Sequence, residues 1–378
     1  VRVAAKPPVL EAVVACVVAT WPALAHSQSA PRPAVPAPQA VPVPAAGWRV
    51  QGTGPTASPV NTPNAQGGID QRIDQSSRRA IYKWQRFDIG EASSVHFQMP
   101  DADSSALNRV DNATAPSAIY GRLTSNGTVY LLNGNGILFG PRSQVDVRGL
   151  VASTLNVTDE DFANGLTTSI YASTPTFRHD PQALGAPAVG AGFVEVSRGA
   201  EIRTANGGRV YLFAEEVRQA GRIETPGGQT VLAAGREVWL QDPTREPLYA
   251  SEVNPSVPAV RGLLVEVAGS GIVDHRGEIA VPRGNATLVA LAVNQAGRIA
   301  ATTSVSENGS VLLLARSGAR GEFDTSINTL TKRATVGGTL TLAEGSRIDI
   351  APDLAPGADG RPPTSSDNAT FTTSRVEL

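Results

Sequence analysis

The residues of this 378-residue chain that could do chemistry are few and scattered. The four histidines, His26, His96, His179 and His275, have neither cysteine nor carboxylate at metal-ligand spacing. The nearest carboxylate pairs are Asp349 with Asp353 and Glu215 with Glu216. Hydrolysis of a glycosidic bond needs two carboxyl groups facing one groove, and sequence neighbours in a strand point to opposite faces. The chain has no Gly-x-Ser-x-Gly elbow, phosphate loop or His-Glu-x-x-His. Gly134-x-Gly136-x-x-x-Gly140 has the wrong spacing for a dinucleotide loop. The expectation is no catalytic residue, no metal and no cofactor. The rival reading is a carbohydrate-active lyase or hydrolase built on a solenoid face.

Asparagine is the other polar residue that recurs in a pattern. Asn-x-Ser/Thr stands at Asn112, Asn126, Asn156, Asn285, Asn308 and Asn368, each a glycan acceptor or, more simply, a turn former. Asn133 and Asn135 in Leu-Asn-Gly-Asn-Gly-Ile are turn residues by type, and an exposed turn can also be read by a partner. The triplet Asp159-Glu160-Asp161 reads as the charged first turn of a helix over 158–165, with Thr158 as cap, Asp161 at the reciprocal position and Gly165 at the end. A calcium site is the sharper alternative.

The elements that must carry these residues are strands. Val210/Leu212, Val238/Leu240, Leu263/Val265/Val267, Val311/Leu313, Leu340/Leu342 and Ile348/Ile350 alternate with other residues in runs of about five. The turns at 206–208, 226–228, 283–285, 308–310 and 336–338 each precede a strand. Gln-Ala-Gly-Arg-Ile recurs at 219–223 and 295–299, with a looser copy at 276–284. A spacing of roughly 20 to 30 residues, with one doubled gap, fits the coils of a β-solenoid. Stacked coils would bury a column of Val, Leu, Ile and Ala and leave the polar alternates to water. Parallel pairing of 210–214 with 229–233 is expected.

Net charge is −2, and lysine is scarce, so no basic footprint for nucleic acid exists. Residues 1–25 read as a signal peptide: Arg2 and Lys6, an apolar run to Trp21 broken by Glu11, then Ala23-Leu24-Ala25. Lipidation at Cys16, the one cysteine, is the lesser alternative. Residues 26–46 are rich in Pro and Ala and read as an extended linker without a core.

Two stretches carry a family resemblance. Trp84, Phe87, Ile89 and Gly90, a strand through Val95 and Phe97, and Leu107-Asn108-Arg109-Val110 form the first. The second runs from 121 to 154 and contains Asn133-Gly134-Asn135-Gly136-Ile137, Phe139-Gly140 and Gly149-Leu150-Val151-Ala152-Ser153-Thr154. Together they resemble the two-partner-secretion, or haemagglutination-activity, domain at the N-terminus of filamentous haemagglutinin-type exoproteins. One position departs from the pattern: Gly134 stands where the family has Pro, which predicts a looser turn. The resemblance implies a right-handed parallel β-helix from about residue 65 with small extra-helical β elements. It divides the chain into a secretion domain over 47–200 and further coils over 201–378. It implies an adhesin-like secreted exoprotein that crosses the periplasm and leaves through a dedicated outer-membrane transporter. Asn133, Gly134, Asn135, Gly136 and Ile137 become the transporter-recognition motif, displayed on the surface. Trp84, Phe87, Gly90, Asn108, Arg109, Phe139 and Gly140 become structural residues of the family motif. A host surface or carbohydrate is the expected later partner, and the chain is expected to be part of a longer one.

Overall fold

The computed structural model describes residues 32–46, 51–52, 58–110, 115–166, 174–184, 192–241, 262–303, 309–324, 329–353 and 374–378. The proposed signal peptide, Cys16 and His26 lie outside the described residues, as do Asn112, Asn308 and Asn368.

Short strands stack in parallel into three columns, the faces of a right-handed parallel β-helix. The first face runs from Ile69–Asp74 through Ser94–Gln98, Glu201–Thr204, Arg222–Glu224, Glu278–Pro282 and Arg298–Thr303 to Arg347–Pro352. The second face runs from Arg79–Arg86 through Ser105–Val110, Arg209–Ala214, Gln229–Ala234 and Asn285–Ala290 to Ser310–Ser317 and Arg375–Glu377. Arg122–Leu132 and Gln144–Ser153 turn the corner and serve both faces. The third face is Ser117–Ile119, Ile137–Phe139, Phe193–Val196, Glu216–Gln219, Ile272–His275, Ala292–Gln295 and Thr339–Leu342. Val210 pairs in parallel with Thr230 and Leu212 with Leu232, as expected. The ladders cross residue 200 without a break, because Gln144–Val147 pairs directly with Glu201–Thr204.

Alternation decides what goes inside. On the first face Leu123, Val145, Ile202, Ile223, Ile279 and Ile299 lie over one another in register and are buried, while their sequence neighbours point outward. On the second face Leu212, Leu232, Leu288 and Leu313 form the matching column. No coil can enclose such a column alone, so stability comes from each coil covering the next.

Four features differ from the sequence reading. First, most outward alternates of the second face do not meet water. Leu107, Val151, Tyr211, Phe213, Val231 and Leu314 belong to a second buried cluster. Strands buried on both sides read as continuous apolar runs, as in Val-Leu-Leu-Leu-Ala. Second, Glu237–Gln241 and Leu264–Ala268 are not coil strands. They pair antiparallel with each other, and Phe177–Arg178 joins them, as a small sheet outside the helix. Val238, Leu240, Val265 and Val267 cover the second face, together with Phe162 and Leu184 from two short helices. Period-2 alternation identifies a half-buried strand but not the sheet it joins. Third, the doubled gap between turns is therefore one coil with an excursion, not two coils.

Fourth, residues 32–46 are docked rather than an unpacked linker. Val43–Pro44 pairs antiparallel with Arg79–Arg86, Gly90 and Ala92 donate backbone N–H groups to Ala40 and Pro38, and Gln71 donates to the Pro42 carbonyl. Proline-rich chain lacks donors but keeps its carbonyls, and an open solenoid end offers unpaired amides to them. Gly90 makes the approach feasible: a Cβ there would stand 2.1 Å from the Ala37 oxygen.

The helix Asp159–Asn164 forms as its signals predict. Thr158 accepts from the Asp161 amide at 3.0 Å, and Gly165 ends the helix at φ +82°.

Candidate functional site

The motif at 133–137 closes the corner between the second and third faces. Leu131 and Leu132 end one strand, Ile137–Phe139 begins the next, and Gly136 N–H donates to the Asn133 carbonyl at 3.1 Å across a tight turn. Strand and turn are as expected, but the surface placement is not. Asn133 is 1% exposed and Ile137 is 0%. Gly134 and Gly136 are buried too, and only Asn135 is partly accessible. The Asn133 side chain donates to the Ala115 carbonyl at 3.1 Å and to the Ser117 hydroxyl at 3.0 Å, and accepts from the Asn135 amide at 3.0 Å. It ties the turn to the coil before it, because a buried amide must satisfy both its ends. Gly136 sits at φ +136°, and a Cβ there would meet the Phe193 ring at 2.9 Å. Phe193 in turn lies under the Arg218 guanidinium, 5.4 Å from the ring centroid.

The other motif residues lie on the same coil and on the coils before it. Trp84 Nε1 donates to Asn108 Oδ1 at 2.9 Å inside the core, and Asn108 donates onward to the Ala106 and Tyr130 carbonyls. Phe87 meets Trp84 edge-on at 5.4 Å. Arg109, 7% exposed, reaches out of the helix to Asp159 at 2.7 Å and to the Val157 carbonyl at 2.8 Å. It anchors the extra-helical helix, and Asp159 is thereby taken up in an ion pair. Phe139 is fully buried, and Gly140 leaves room for the Tyr120 ring, 2.7 Å from where a Cβ would stand. The sequence reading missed Asp88, which accepts the Ala118 amide at 2.9 Å at the edge of the third face. Burial pushes the Asp88 carboxyl up, against the opposing effect of that hydrogen bond. Its signal was its place inside the Phe-Asp-Ile-Gly phrase. Ser117 and Phe193, which hold the turn from outside it, carry no sequence signal.

The candidate catalytic carboxylates are each engaged by cations. Asp349 meets Arg347 at 2.6 Å and Arg298 at 3.3 Å, while Asp353 meets Arg283 at 3.2 Å. Glu215 lies 3.6 Å from Arg236 and 3.8 Å from His179, and Glu216 lies 2.6 Å from Arg218. No group of three His, Cys, Asp or Glu among the described residues could hold a metal ion. Of the glycan candidates, Asn285 is 2% exposed and Asn156 8%, and the Asn126 amide bonds both ways to the Met99 backbone. These three act as turn and core residues.

The fold and the motif define a class: a β-helix whose sequence hallmark is spent on building corners. The chain belongs to the TPS secretion domain family, whose model matches residues 46–349. Membership makes the matched region a secretion domain of a secreted exoprotein. Two curated relatives are heme/hemopexin-binding proteins of Haemophilus influenzae, 44% identical over 87 residues and 43% over 82 residues. These matches cover 23% and 22% of this chain, and the chain spans about a tenth of the relatives' length. The crystal structure of the HMW1 secretion domain from Haemophilus influenzae shares the fold, with a TM-score of 0.53 at 22% identity over 72% of this chain and 63% of that one.

Proposed function

We propose that residues 133–137 are read by the transporter in the unfolded chain, before the corner closes over them. The observation behind this reading is their burial: of the five motif residues only Asn135 keeps partial access once the coil has formed. A transporter that met the folded domain would find little of the motif. The chain crosses the periplasm with its leader removed, is engaged there, and folds outside coil on coil, each coil templating the next. Residues 47–200 make up the module that is engaged first, and the coils after them extend it. The protein is not an enzyme, and the exoprotein acts by binding, with a host surface or a carbohydrate as its target. The relatives' names favour a binding role over a catalytic one.

The test is secretion of Asn133→Ala and Asn135→Ala by the cognate transporter, scored as protein in the medium against protein held in the cell. Loss of secretion from both supports the reading. Wild-type secretion from both removes it.

A further inference from the structure

Outside the motif, the second face carries a cavity of about 330 Å³ on its outer side. Register explains it. Arg79, Ser105 and Thr128 follow one another up the first column of that face. Gly149 and Arg209 continue it, since their neighbours Leu150 and Val210 pair. Three small residues thus stand between two arginines and leave a hollow, which the helix Asp159–Asn164 flanks through Phe162. Arg148 is the residue at the corner, where the register shifts between Val147 and Gly149. Its guanidinium lies beside the Gly207 turn, 3.6 Å from where a Cβ would stand. Arg148 and Arg209 therefore sit on adjacent coils, about 4.8 Å apart along the axis.

The cavity's charge is lopsided. Arg79, Arg148 and Arg209 line it against one acid, Asp103. Arg79 is engaged at the helix end by the Ala163 carbonyl. Among the described residues, Arg148 and Arg209 have no carboxylate partner, although arginines on the neighbouring first face are commonly paired, such as Arg203 with Glu201 and Arg222 with Glu278. Two guanidinium forks left open on adjacent coils match the oxygens of a sulfate or carboxylate. Half-buried Tyr130 lies deeper in, its ring packed edge-on against Phe162 at 5.2 Å. Burial, with Tyr211 nearby, pushes the Tyr130 hydroxyl up, so it stays a donor at neutral pH.

We infer that this cavity binds an oxyanion carried on a sugar ring, an acidic saccharide unit, with the anion between Arg148 and Arg209 and the ring against Tyr130. The anion supplies the charge that the two arginines lack. A ring body fits a cavity that has an aromatic wall and a hydroxyl donor, where a bare ion would leave both unused. The inference rests on the carbohydrate-binding reading above and names the ligand's chemistry; it is independent of transporter recognition, since none of these residues belongs to the 133–137 motif.

The experiment is calorimetric titration of the full secreted chain with four probes: a singly sulfated uronate disaccharide, the same disaccharide without sulfate, a neutral disaccharide and inorganic sulfate. Either acidic disaccharide should bind and the neutral one should not; comparing the two identifies sulfate or carboxylate as the recognised group. Arg148→Ala and Arg209→Ala, both at the cavity edge, should each weaken binding by about tenfold or more, the loss expected for one charge-assisted hydrogen bond. Tyr130→Phe should weaken the disaccharide and leave sulfate unchanged. Absence of binding by both acidic probes at millimolar concentration overturns the proposal. So does equal binding of the neutral sugar, or unchanged binding by both arginine variants. Inorganic sulfate binding as tightly as the disaccharides overturns the assignment of a ring-borne anion.

Discussion

Asn133→Ala and Phe193→Ala perturb the same corner from inside and outside the motif, and together they separate folding from recognition. Asn133 makes three side-chain hydrogen bonds within the folded corner. At about 0.5–1.5 kcal/mol each, with buried partners left unmatched, its removal should cost about 2–4 kcal/mol. Phe193 is fully buried against Gly136, and its truncation should cost about 3–5 kcal/mol while leaving 133–137 intact. Urea unfolding followed by far-ultraviolet circular dichroism gives both losses on protein purified from the medium or refolded. If secretion merely tracks stability, Phe193→Ala is exported worse than Asn133→Ala. If the unfolded motif is read, the order reverses despite the larger loss at Phe193. Asn135→Ala should then lower export while changing stability by no more than about 1 kcal/mol. An export order that follows the stability order across these variants would exclude recognition of the unfolded motif.

Other expectations follow from the same geometry. Gly136→Ala should cost about 1–3 kcal/mol in urea unfolding, because φ is positive and the new methyl meets Phe193. Gly134→Pro should stabilise by about 0.4–1 kcal/mol, since Gly134 is the second residue of the turn and no backbone acceptor among the described residues uses its amide. Gly90→Ala should undock residues 32–46, read as faster protease cleavage there with the coils still protected. Burial holds the His275 imidazole below its usual 6.5, against the hydrogen bond to Gln295. As pH falls from 6.5 towards that lowered value, the unfolded chain takes up a proton that the folded chain does not, so stability drops. His275→Gln, which continues the buried column between Gln219 and Gln295, should flatten the loss of stability that sets in as pH falls below about 6.5 in urea titrations.

The recurring Gln-Ala-Gly-Arg-Ile phrase was the most legible part of the fold. It marks the corner from third to first face: Gln219 and Gln295 are buried there and His275 takes the same place between them. The turns before the second face were legible for the same reason, as stacked backbone leaves no room for Cβ: one on Gly228 would stand 1.7 Å from the Gly208 oxygen. The third face was not legible, because strands such as Phe193–Val196 are too short to show a period. Nor could alternation assign Val238 or Val265 to the outer sheet, since either sheet accepts the same pattern. The motif itself was found by resemblance, but its burial was hidden. Asn and Gly residues read as surface turns, and only the partners Ala115, Ser117 and Phe193, brought close by stacking, show that this turn faces inward.

That this chain is a two-partner secretion substrate can be tested in one strain. The full chain is expressed with and without its cognate outer-membrane transporter, and its distribution between periplasm and medium is measured by immunoblot. Protein should reach the medium only when the transporter is present, and should be folded and rich in β structure there. Equal release without the transporter, or periplasmic retention in its presence, would contradict this expectation.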